Sequence, residues 1–101
     1  MQLYNVAVVL DRDQKFILVV VDKEFGDLGQ DDRAAFIQDI EERAKAKKMT
    51  GTVVPVWHIV GPVFGHAGPP SLDEYFRSWS WTSVEKSLKW ELYRGSPPAT
   101  P

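Results

Sequence analysis

The run Phe16-Ile17-Leu18-Val19-Val20-Val21 sets six apolar residues in succession with no polar residue between them. Successive side chains of a strand point to opposite faces of its sheet, so such a run demands cover on both faces. A chain of 101 residues has little material for that. Either its C-terminal half folds back over the sheet, or a second copy of the chain lies against it.

A second strand repeats the demand. Tyr4 to Leu10 alternates Tyr4, Val6, Val8 and Leu10 with Asn5, Ala7 and Val9, so it too is largely apolar on both sides. Between the two runs lies Asp11-Arg12-Asp13-Gln14-Lys15, a polar segment of turn type, and the pair reads as an antiparallel hairpin. From Asp31 to Lys48 the period changes. Phe36, Ile37, Ile40 and Ala44 recur at helical steps, Asp31 suits the cap, Asp39/Arg43 and Glu41/Lys45 suit i,i+4 pairs, and Thr50-Gly51 suits the stop.

Thr52 to Val60 returns to strand character. Pro55 has no amide proton to donate, which predicts an edge strand or a bulge. Gly61 to Pro70 then reads as a glycine- and proline-rich loop, and Ser71-Leu72-Asp73-Glu74 has capping-box form ahead of Leu72, Tyr75, Phe76 and Trp79 at helical spacing. In residues 83–93 two periods compete. Val84, Leu88 and Leu92 repeat every four residues, while Leu88, Trp90 and Leu92 alternate; Thr82 with Glu85 offers a capping box, which favours helix.

The expected fold is therefore α+β, with element order β-β-α-β-α-α, a three-stranded, mainly antiparallel sheet and the long helix packed on one face. A fourth strand is added if the last segment is extended. Residues 1–94 form the single domain and Gly95 to Pro101 a flexible tail, because nothing apolar anchors its Pro, Ser and Thr residues.

Composition removes several function classes. With no cysteine there is no disulfide framework, thiolate zinc site or thiol nucleophile. Met1 runs into strand-like sequence without a basic leader, which predicts a cytoplasmic location, and no apolar run approaches the roughly 18 residues of a membrane span. A formal charge of -2 disfavours a sequence-independent grip on nucleic acid. The basic residues Arg43, Lys45, Lys47 and Lys48 fall where a helix C-terminus welcomes cations. The acidic residues Asp22, Glu24, Asp27, Asp31 and Asp32 do not follow the calcium-loop pattern, and no cofactor is expected.

Chemistry-bearing candidates gather in the second half. All four tryptophans lie there, and tryptophan serves cores, ligand pockets and interfaces alike. Trp79 completes a helical stripe, whereas Trp81 and Trp90 are left as contact residues. His58 and His66 lack the further ligands of a metal centre at any compact spacing, and the loop between Gly61 and Pro70 matches no phosphate-binding motif. No nucleophile elbow, zincin helix or carboxylate pair is visible.

The functional expectation is a non-enzymatic interaction module that self-associates as a homodimer, or meets a protein partner, through Trp81, Trp90 and the segment around His66. The rival is a small enzyme or small-molecule-binding protein with a pocket between sheet and C-terminal helices, lined by Trp57, His58, His66, Tyr75 and Trp81.

Overall fold

The computed structural model describes residues 2–68 and 70–94; the expected tail, Gly95 to Pro101, lies outside them. The described residues build one five-stranded sheet, in the order β4-β3-β2-β1-β5. Its strands are β1 (Gln2–Asp11), β2 (Gln14–Val20), β3 (Thr52–Val60), β4 (Val63–His66) and β5 (Trp90–Arg94). The helices are α1 (Gln30–Ala46), α2 (Ser71–Tyr75) and α3 (Trp81–Ser87), with 3-10 turns at Lys23–Asp27 and Phe76–Ser78.

A three-stranded, mainly antiparallel sheet in the order β-β-α-β-α-α does not hold. The sheet is mixed: β1 pairs antiparallel with β2 and β5, β3 pairs antiparallel with β4, and β2 runs parallel to β3. The parallel pair follows from the long β2-to-β3 connection, which carries α1 and returns the chain to the same end of the sheet.

The two additional strands have local causes. Gly61, at φ +53, begins a two-residue hairpin turn with Pro62 that brings Val63 opposite Val60, so β4 occupies the segment expected to be a loop. The segment after Thr82 is both things in turn. Val84 is buried on α3, Leu88 turns extended, and Trp90–Arg94 then pairs with Gln2–Val6.

The turn between β1 and β2 is shorter than expected. Arg12 and Asp13 alone form it, at φ +50 and +67, with Asp11 opposite Gln14. Pro55 is buried in β3, which has β2 on one side and β4 on the other, rather than at an edge. Its carbonyl accepts from the Ala67 amide at 3.0 Å, so the side that lacks a donor faces the place where β4 ends at His66. The missing hydrogen bond therefore leaves no strand residue unpaired.

Each face of the sheet has its own cover. On one, Tyr4, Val6, Ile17, Val19, Val53 and Leu92 pack against Phe36, Ile40 and Ala44 of α1. On the other, Ala7, Phe16, Leu18, Val54 and Val56 pack against Leu72, Phe76 and Val84 from the C-terminal helices. The two-sided apolar run is thus satisfied within one chain.

Helix α1 is capped by Gly29, not Asp31, and Asp31 and Asp32 instead place their charge in the first turn, where the macrodipole favours it. Asp39 and Arg43 meet at 3.8 Å. Its end precedes the expected Thr50-Gly51 stop: the Lys48 amide donates to Lys45 and the Met49 amide to Ala44, both at 2.9 Å, with Lys48 at φ +61. This closing motif ordinarily places glycine at the left-handed position. Lys48→Gly should accordingly raise stability by about 0.5–1 kcal/mol, seen as a higher urea midpoint at unchanged slope. A lower midpoint would mean that lysine is at ease there.

Candidate binding surfaces

The register divides the sequence-derived candidates between the two faces. Even-numbered residues of β3 face α2 and α3, so His58 lies in line with Val54 and Val56, while Trp57 points toward α1 with Val53. On β4, Phe64 lies opposite His58, and His66 lies opposite Val56.

His58 and Trp81 are brought together. Their rings stack with centroids 5.1 Å apart, and His58 Nε2 donates to the Gly61 carbonyl at 2.8 Å. Trp81 is anchored in turn by its amide, which donates to the Pro62 carbonyl at 2.9 Å. Helix α3 is thereby tied to the hairpin turn, and its capping box uses Ser80 and Ser83 rather than Thr82 and Glu85.

His66 is the last residue of β4, and its side chain reaches toward α2. Its ring meets the Phe76 ring at 5.0 Å, and Nε2 lies 2.9 Å from an oxygen of Asp73. Asp73 occupies the first turn of α2 and is mostly exposed, whereas His66 is largely buried. With Phe64, Phe76 and Trp79 they line a cleft of about 390 Å³. Tyr75 stands next to Trp79, ring centroids 5.5 Å apart. Burial pushes the Tyr75 phenol above its usual value of 10.0, and the Asp11 carboxylate adds to the rise.

Trp57 belongs to the opposite face. Its indole packs over Gly26 and Gly65 and lies 5.7 Å from the Phe25 ring. Trp90 is also on the α1 face, opposite Val6 in the register, and is 54% exposed. Trp81 and Trp90 therefore do not share a surface. Among the described residues no three or more His, Cys, Asp or Glu side chains are placed to hold a metal ion, and no helix is long and apolar enough to cross a membrane.

No protein-family model, curated protein or solved structure matches this chain.

One surface escaped the sequence reading. β5 pairs with Gln2–Val6 only, so from Ala7 to Asp11 the outer edge of β1 has no strand beside it among the described residues. The Val6 carbonyl accepts from the Lys89 amide at 3.1 Å, which fixes the outward direction for Val8 and Leu10 by alternation. Val8 is 39% and Leu10 60% exposed, and both share the α1 face with Trp90. Alternation names this face, but only the length of β5 reveals that it goes uncovered.

Proposed function

We propose that this chain is a small, non-enzymatic interaction module that pairs with a second copy of itself along the outer edge of β1. The observation that carries the reading is the coincidence of a β1 edge that, at Val8 and Leu10, has no strand beside it among the described residues with the exposed strip Val8, Leu10 and Trp90. An open strand edge is a template for another strand, and natural proteins usually blunt it with charge, proline or a bulge. Ala7 to Leu10 has none of these.

The pairing is self-complementary. With β1 antiparallel to its copy and the two-fold axis at Val9, Val8 faces Leu10 of the other chain and Asp11 of the other chain falls opposite Ala7. That position lies beside Lys89, whose amide is bonded to Val6. Carboxylate and ammonium then meet at each end of the contact.

Sedimentation velocity checks this. A dimer is expected in the tens of micromolar, weakened about tenfold or more by Leu10→Lys and by Trp90→Glu. A wild-type chain still monomeric at about 100 μM would remove the reading.

A second reading, binding of a small molecule in the cleft next to His66, is favoured by the His66–Asp73 contact at its wall. A monomeric chain would leave this reading standing.

A further inference from the structure

β4 closes the sheet on the side opposite β5, and two bonds of β3 fix how its backbone is turned. The Val56 carbonyl accepts from the Val21 amide at 2.9 Å and so points toward β2, while the Pro55 carbonyl accepts from Ala67 and points toward β4. Alternation turns Trp57 toward β4, with Gly65 opposite it. Phe64 and His66 therefore turn their N–H and C=O groups outward, where no strand lies among the described residues. No charge blunts that edge, since residues 51–72 include no Asp, Glu, Lys or Arg.

An open edge by itself names no occupant. The cleft beside it does. Phe64 and His66, the two residues whose backbone turns outward, also line the cleft of about 390 Å³ with Asp73, Phe76 and Trp79. Phe76 braces it, 5.4 Å from the Phe64 ring and 5.3 Å from Trp79. Strand edge and cleft thus lie side by side. In an antiparallel pair, residues opposite each other share a face, so a residue that bonds to Phe64 or His66 also delivers its side chain to the cleft. Only an extended chain offers backbone groups and side chains at that two-residue spacing.

The chemistry of the guest follows from the lining. Aromatic rings favour one aromatic side chain, which the volume accepts. The Asp73 carboxylate, 73% exposed at the wall, favours a cation beside it. With four residues, β4 covers far less than the roughly 800 Å² per partner of a stable dimer, so a short segment suits it better than a second folded copy.

The geometry points to β4 as the docking edge for an extended peptide of a partner protein, added antiparallel, with an aromatic side chain in the cleft and a basic residue two positions away near Asp73. The cleft is the one that the second reading above gives to a small molecule; here the backbone pairing is added to it. Self-pairing at β1 is independent of both.

The test is an NMR titration of the full chain with the capped peptide Thr-Lys-Thr-Phe-Thr-Lys-Thr. Saturable shifts are expected at Phe64, His66 and Trp79, with a Kd of about 100 μM. N-methylation of the phenylalanine removes an amide that faces β4 and should weaken binding about tenfold, whereas N-methylation of the next threonine, whose amide faces away, should change it less than about twofold. Asp73→Asn should weaken the peptide about threefold. Capped phenylalanine alone, N-acetylphenylalaninamide, should bind at least about tenfold more weakly than the peptide. Binding as tight as the peptide's would leave the cleft to a small molecule and overturn the peptide assignment. An equal response to the two methylations, shifts confined to residues 7–11, or no saturation by about 2 mM peptide would each overturn it as well.

Discussion

Leu72→Ala is expected to cost about 2–5 kcal/mol and to expose the sheet face that the C-terminal half covers. Leu72 is fully buried, and α2 has only five residues, too few to persist without its anchor. Its side chain closes over the region of Val54 and Gly68, within a cluster that also holds Phe16, Leu18, Val56 and Phe76. Losing that contact removes a large share of a typical domain's 5–15 kcal/mol. Urea denaturation gives the cost, and binding of a hydrophobic dye at low denaturant reports the uncovered face. A loss under about 1 kcal/mol with no dye signal would show that α2 does not hold this cover in place.

Gly51→Ala should be comparably severe, for a different reason. Gly51 lies at φ +141, where side-chain-bearing residues are strained, and an added Cβ would sit 2.8 Å from the Lys15 carbonyl oxygen. That oxygen belongs to the backbone of β2 and cannot swing aside. The neighbouring residue Thr52 starts the parallel register opposite Phe16, so any relief disturbs the β2–β3 pairing at its first step. Strain and overlap together are expected to cost about 2–4 kcal/mol. Gly29→Ala is the control: nothing lies within 4 Å of its added Cβ and its φ is -65. Thermal melts that treat the two variants alike would refute the argument from crowding.

Much of the fold was legible because its signals are local. The period of Phe36, Ile40 and Ala44 marks α1, and the apolar run Phe16–Val21 correctly demands shielding on both faces. What failed depends on pairing. Val63 to His66 is too short to announce a strand, and only the Gly61-Pro62 turn makes it one. Leu88 and Leu92 fit either period because one ends a helix connection and the other is buried in a strand; the chain changes state between them. Pro55 misled because a missing donor matters only if a neighbour waits for it, and β4 stops short.

The candidate surfaces were less legible still. Composition brings His58, Trp81 and Trp90 to notice but not the faces they occupy, which follow from register. Asp73 was visible as a carboxylate near His66 in sequence, yet their 2.9 Å approach depends on how α2 docks. The ring contacts of Phe36 with Tyr4 and Phe25 join β1, a 3-10 turn and α1, elements whose adjacency no local pattern encodes.

The pairing of β1 with β5 has a consequence for biosynthesis. Of the five described strands, the earliest made is closed by the latest, so while the ribosome is still extending the chain, the Gln2–Val6 edge waits for Trp90–Arg94 to emerge. The hairpin and the α1 crossover can assemble earlier, leaving a nascent sheet with its whole β1 border unguarded. That interval, more than the finished molecule, is when this chain is most exposed to pairing with the wrong strand.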